Sequence, residues 1–144
     1  SALIYQENQK GALLIKPTTF MNDSGLAVAK VADYYHFKPG EIWIIHDDLD
    51  LPLGIIRVKK GGGTAGHRGL ESIVRQLGSY DFVRFRLGIG HPGPEATDRE
   101  VKNYVLSGFN EKEAVEGEKI VKKAAKIVEM ALEKGIEKLA NINN

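Results

Sequence analysis

The chain has 144 residues, 42% hydrophobic and 27% charged, which fits one globular domain and excludes a disordered or fibrous chain. It contains no cysteine, so a disulfide scaffold, a thiolate metal centre and a cysteine nucleophile are all ruled out. The net charge of +1 conceals an asymmetry: residues 33–50 carry Asp33, Glu41, Asp47, Asp48 and Asp50 against Lys38, while residues 55–91 carry seven Lys and Arg against Glu71 and Asp81. No apolar run approaches the roughly 18 residues of a membrane span, and the opening SALIYQEN does not read as a signal peptide.

In chain order, Ala12–Lys16 is a short apolar run closed by Pro17 and reads as a strand end. Asn22-Asp23-Ser24 offers helix caps, and Ala27, Val28, Val31, Ala32 and Tyr35 follow at helical spacing. Pro39-Gly40 is a turn, after which Ile42-Trp43-Ile44-Ile45 predicts a strand buried on both faces. Ile55–Lys60 predicts another strand, Gly61–Gly69 a loop with five glycines in nine residues, and Leu70–Leu77 a short helix. Phe82–Gly90 alternates Phe82, Arg84 and Arg86 against Val83, Phe85 and Leu87, a strand with one basic or aromatic face. Thr97-x-x-Glu100 and Asn110-x-x-Glu113 are capping boxes, each opening a helix. The second helix carries an apolar stripe of Val115, Ile120, Val121, Ala124, Ile127, Val128, Ala131 and Leu132, with Gly135 as its C-terminal cap and a solvated Lys/Glu face opposite. Strands alternating with helices predict an α/β fold: a single domain over residues 1–144, with a twisted mixed, largely parallel sheet, helices on both faces and a long C-terminal helix.

The glycine loop first suggests a nucleotide enzyme, because Gly61-x4-Gly66-His67-Arg68 nearly fits the phosphate-cradling pattern. The chemistry fails: His67 stands where a lysine must reach the phosphates, and Arg68 where a hydroxyl must hold Mg²⁺. Five glycines nonetheless favour close backbone approach to a ligand. His46-Asp47-Asp48-Leu49-Asp50 ends a strand, where ligands sit in open α/β sheets. Asp47 and Asp48 alternate faces, which disfavours a metal and leaves one carboxylate to orient a histidine while the other turns the chain. Asn22 is either a helix cap or an amide that donates to and accepts from a substrate peptide. His67, among glycines, reads as a site residue; His36 at a helix end and His91 in a Pro-Gly loop do not. Arg57, Lys59, Arg84 and Arg86 share same-face spacing on two strands and suggest a phosphate or nucleic-acid footprint.

Four segments, taken in order, resemble bacterial peptidyl-tRNA hydrolases: Lys16–Gly25 (KPTTFMNDSG), His46–Gly54 (HDDLDLPLG), Gly61–Leu70 (GGGTAGHRGL) and Phe82–Gly90 (FVRFRLGIG). The resemblance implies a single α/β domain that hydrolyses the ester joining a peptide to the 3′ ribose of tRNA, without metal or other cofactor. It implies that Asp47 orients a general-base histidine, and that Met21, Asn22, His67 and Arg68 contact substrate. It further implies that Arg57, Lys59 and Arg86 contact phosphates of the acceptor stem, in a monomeric, cytoplasmic enzyme with no membrane partner. Arg68 departs from the asparagine found there in many members. The family's opening G-N-P-G turn and T-R-H-N segment, which carries the catalytic histidine, have no counterpart here, and none of His36, His46, His67 or His91 lies in a matching segment. The expectation is an N-terminally incomplete domain with impaired hydrolysis. The alternative is a catalytically lost RNA-binding homologue resembling plant splicing cofactors.

Overall fold

The computed structural model describes residues 2–7, 11–107 and 111–140. Its order is β1 (Ala2–Glu7), β2 (Ala12–Pro17), a 3-10 turn (Met21–Asp23), α1 (Ser24–Tyr35), a 3-10 turn (Pro39–Glu41), β3 (Trp43–Asp48), β4 (Ile56–Lys60), α2 (Arg68–Leu77), β5 (Val83–Gly88), α3 (Asp98–Leu106), α4 (Glu111–Lys134) and α5 (Glu137–Ala140). The α/β class and the long C-terminal helix are as the sequence predicts. β1 and β2 pair antiparallel, from Ala2 opposite Pro17 to Glu7 opposite Ala12. The other sheet has the order β3-β5-β4. It is mixed: the bonds Val83 N to Ile42 O and Ile89 N to Asp48 O run β3 and β5 parallel, while Gly61 N to Phe82 O and Gly88 N to Ile55 O run β5 and β4 antiparallel.

The chain divides into two compact units, Ser1–Ile44 with Lys59–Arg84, and Ile45–Val58 with Phe85–Asn144. In the first, α1 lies on α2. The helical spacing of Ala27, Val28, Val31 and Ala32 buries that face of α1, and Val28 joins Leu70, Ile73 and Phe82, with Ile42, Ile44, Val74 and Leu77 around them. Gly25 allows the close approach: its N–H donates to the buried Ser72 hydroxyl at 2.9 Å, and a Cβ in its place would sit 2.1 Å from the Ser72 carbonyl oxygen. Asn22 is not a helix cap. It lies inside the 3-10 turn, Asp23 occupies the cap position without a side-chain bond, and the Ser24 hydroxyl donates to the Met21 carbonyl at 2.8 Å.

In the second unit, Ile56, Ile120 and Ala124 form a core with Leu87 and Ile127. The Thr97–Glu100 capping box forms with both of its bonds. The Thr97 backbone N–H, and secondarily its hydroxyl, hold the Glu100 carboxyl below its ordinary pKa. Gly135 closes α4 in a left-handed conformation, its N–H on the Ala131 carbonyl at 2.9 Å. The predicted Asn110 cap lies outside the described residues.

Four expectations are corrected. Ile45 is 49% exposed, so β3, an outer strand of its sheet among the described residues, is not covered on both faces. Val115 and Val121 are exposed at 54% and 62%; the buried line of α4 is the narrower Gly117, Ile120, Ala124 and Ala131. α2 starts two residues before the predicted Leu70, because the His67 ring caps it. Arg84 is 3% exposed and belongs to no surface basic face.

Candidate functional site

Met21 and Asn22 sit on the 3-10 turn that feeds α1, both exposed. His67 and Arg68 sit at the start of α2. The structure brings Met21 and His67 together over Gly69: a Cβ at that glycine would lie 2.7 Å from Met21 Sδ and 3.0 Å from His67 Cε1. Gly69 is thus a space-making residue between a thioether and an imidazole. Ser24, read from the sequence only as a possible helix cap, fixes the Met21 carbonyl and places its hydroxyl 3.9 Å from Met21 Sδ.

The hydrogen bonds assign the histidine tautomers. His67 Nδ1 accepts from Leu70 N–H at 3.2 Å, so a neutral ring carries its proton on Nε2. His46 Nδ1 lies 2.8 Å from the Asp47 carbonyl, an acceptor, so Nδ1 is the protonated nitrogen; its Nε2 is buried away from solvent water. His91 Nδ1 accepts from Gly93 N–H at 3.0 Å in its own turn, and His36 is the left-handed C-cap of α1. Each of the four histidines therefore has a local structural role.

In the second unit Asp47 is half-buried near the end of β3, next to Asp48. Asp48 divides its oxygens: Oδ2 accepts from Arg86 Nε at 2.7 Å and Oδ1 from Asp50 N–H at 2.8 Å. Asp48 is thus the carboxylate that turns the chain, and alternation along β3 leaves Asp47 on the opposite face. Arg86, expected as a phosphate contact, has Nε committed to that ion pair, with side chains only 25% and 12% exposed. Arg57 is half-buried, its Nη1 donating to the Ile56 carbonyl at 3.3 Å. Lys59, in the first unit, is exposed, and its ammonium lies against Gly62, 2.8 Å from where a Cβ would stand. Arg84 sends Nη1 to the Gly63 carbonyl and Nη2 to the Gly62 carbonyl, with its guanidinium 4.8 Å over the Phe82 ring. The signal for this inward arginine was its setting between Val83 and Phe85, both buried.

Among the described residues no three His, Asp or Glu side chains converge as a metal site would require. A groove of about 590 Å³ in the first unit, lined in part by Lys30, Asp33, His36 and Phe37, contains none of the expected site residues.

The profile of the peptidyl-tRNA hydrolase family matches residues 2–144. The chain belongs to the peptidyl-tRNA hydrolase family. It is 39% identical over 143 residues to a peptidyl-tRNA hydrolase of Hydrogenobaculum sp. (strain Y04AAS1), covering 99% of this chain and 74% of that protein. It is 56% identical over 95 residues to that of Francisella tularensis subsp. novicida (strain U112), a match covering 66% of this chain and 48% of that protein, so it spans about half the length of this relative. The crystal structure of peptidyl-tRNA hydrolase from Acinetobacter baumannii superposes with a TM-score of 0.84 at 31% identity, over 99% of this chain and 77% of that one. No described helix is long and apolar enough to cross a membrane.

Proposed function

We propose that this chain carries the substrate-holding part of an active site that hydrolyses the ester between a peptide and the 3′ ribose of tRNA. The observation that carries this reading is the meeting of Met21 and His67 over Gly69. There an apolar thioether wall stands beside an imidazole whose Nδ1 is taken by the helix cap. The exposed Asn22 amide follows Met21 directly and supplies both a donor and an acceptor for the peptide backbone. Arg68, the first residue of α2, adds a charged donor beside His67.

In the reaction, water attacks the ester carbonyl carbon as a general base takes its proton. The 3′ oxygen of the ribose then leaves and is protonated, giving a free peptide carboxylate and tRNA with a 3′ hydroxyl. Asp47 orients the base histidine, as an aspartate does in other metal-free hydrolytic sites. We take that histidine to be none of the four in this chain, because none of His36, His46, His67 and His91 lies in a segment that matches the family's catalytic one. Arg57, Lys59 and Arg86 neutralise phosphates of the acceptor stem, and the working form is a cytoplasmic monomer.

The test is hydrolysis of N-acetyl-aminoacyl-tRNA by the 144-residue chain, alone and with the histidine-bearing segment of a relative fused ahead of it. Because a general base contributes about 10²–10⁴-fold, the fusion should be faster by that factor. Equal turnover by the two would return the base to His46 or His67 and overturn the assignment. Binding of tRNA without cleavage by the fusion would instead favour an RNA-binding protein that has lost catalysis.

A further inference from the structure

The turn that follows Asp47 hangs from the end of β5 by two successive amides. Ile89 N–H donates to the Asp48 carbonyl at 3.1 Å and Gly90 N–H to the Leu51 carbonyl at 2.9 Å, so both ends of the Asp48–Leu51 turn are held. Two glycines make the room: a Cβ at Gly88 would stand 2.1 Å from the Pro52 carbonyl oxygen, and Gly90 takes φ of +75°. The clamp has a support outside the sheet. Tyr104, half-buried on α3, donates its hydroxyl proton to the Ile89 carbonyl, and a Cβ at Gly90 would lie 3.1 Å from that hydroxyl. The Ile89–Gly90 peptide is therefore bonded at both poles, its C=O by Tyr104 and its N–H by Leu51. A bond accepted by a peptide carbonyl polarises the group and strengthens the bond that its N–H makes.

We infer that Tyr104 is a positioning residue for Asp47, acting through the clamp that its hydroxyl closes on the end of β5. The inference rests on the role proposed for Asp47 in orienting the base histidine. Asp47 lies one residue before the carbonyl held by Ile89, and Asp48 is fixed besides at both carboxylate oxygens, by Arg86 and by Asp50 N–H. With Asp48 and Leu51 anchored, the backbone at Asp47 has little freedom to turn. An aspartate that orients a histidine must stay within about 0.5 Å of its productive geometry. Loss of the Tyr104 hydroxyl leaves the Ile89 carbonyl without this donor, weakens the Gly90–Leu51 bond and loosens the turn. Met21, Asn22 and His67 belong to the other unit and to other elements, so the effect falls on the chemical step and not on substrate binding.

The experiment compares the parent with Tyr104→Phe, which removes the hydroxyl and keeps the ring. In the ¹⁵N-labelled 144-residue chain, hydrogen exchange at the Ile89 and Gly90 amides should quicken about tenfold while exchange at Ala124, buried in α4, keeps its rate. In the fusion that carries a histidine-bearing segment, kcat should fall about tenfold with KM unaltered. On an Asp47→Asn background the same change should cost nothing further, because both residues act through one group. Parent-like exchange at Ile89 and Gly90 overturns the inference, and so does a rise shared by Ala124, which is a loss of stability alone. A raised KM with kcat intact overturns it, as does a full further fall in kcat on the Asp47→Asn background. A fusion slowed by Asp47→Asn and not by Tyr104→Phe overturns the inference and leaves the role of Asp47 standing; a fusion untouched by Asp47→Asn overturns that role itself. The exchange measurement needs no hydrolysis, so with an inactive fusion it alone decides whether Tyr104 holds the clamp.

Discussion

Two helical glycines in the first unit should answer the same substitution in different ways. In an open helix Gly→Ala stabilises by about 1 kcal/mol. At Gly25 the new Cβ would stand 2.1 Å from the Ser72 carbonyl oxygen and 2.5 Å from its carbon, both backbone atoms of α2. Neither can swing aside, so α1 and α2 must part by more than roughly 1 Å to approach ordinary contact. Overpacking costs about 1–3 kcal/mol, and losing the 2.9 Å Gly25–Ser72 bond leaves a buried hydroxyl unsatisfied for about 1–3 kcal/mol more. Offset by the helical gain, Gly25→Ala should destabilise by roughly 1–5 kcal/mol, a fall in melting temperature of about 3–20 °C. At Gly69 the nearest atom is Met21 Sδ at 2.7 Å, the far end of a flexible side chain, followed by His67 Cε1 at 3.0 Å. There the helical gain offsets a weakened His67 cap, worth about 1 kcal/mol, so stability should stay within about 1 kcal/mol of the parent. The thioether and imidazole must still separate, so Gly69→Ala should impair substrate binding by the fused enzyme while leaving the fold intact. Urea unfolding by circular dichroism, paired with KM and kcat for hydrolysis, reads both effects. A Gly25→Ala chain as stable as the parent would refute the packing argument. A Gly69→Ala enzyme with unaltered KM and kcat would refute the placement of Met21 and His67 at the substrate.

The Asp48–Arg86 pair is mostly buried, so a double-mutant cycle of Asp48→Asn and Arg86→Met should give a coupling of about 1–3 kcal/mol that changes little with salt; zero coupling would mean that the 2.7 Å contact is not held in solution. Thr97→Ala should make stability less pH-dependent in the acid range. The folded Glu100 carboxyl has its pKa lowered by Thr97, chiefly through the backbone N–H and then the hydroxyl, so its stabilisation is full above the ordinary value of 4.5 and is lost as pH falls through the lowered one. Removing the hydroxyl should narrow that acid loss, measured as the gap between parent and variant melting temperatures from pH 7 to pH 3; a gap constant over that range would contradict the assignment.

Much of the fold was legible because local chemistry and tertiary packing agree. The stripe Ala27, Val28, Val31 and Ala32 is buried in α1 as its spacing predicts, and the Thr97 box and the Gly135 cap fall where their residue types place them. β1 was missed because its partner, not its own pattern, makes it a strand: Ile4 pairs with Ile15 across a hairpin. The extent of burial was misread where one element alone cannot fix it. Ile45 and Val121 are apolar by type, yet whether another layer covers them depends on residues far away in sequence. For the candidate site, motif order singled out Met21 and His67, but nothing in the sequence showed that Gly69 is the space in which they meet.

The arginines of β5 show the limit most clearly. Period-2 spacing correctly places Arg84 and Arg86 on one face, and a face carrying two arginines reads as a phosphate footprint. Spacing says which way a side chain leaves the strand; it does not say what it meets there. Arg84 meets the carbonyls of the glycine loop, and Arg86 meets Asp48, so neither is a free surface cation. The basic segment 55–91 therefore presents less exposed charge than its seven Lys and Arg suggest. Each arginine instead serves its own unit, Arg84 by holding the glycine loop and Arg86 by holding the Asp48 carboxylate.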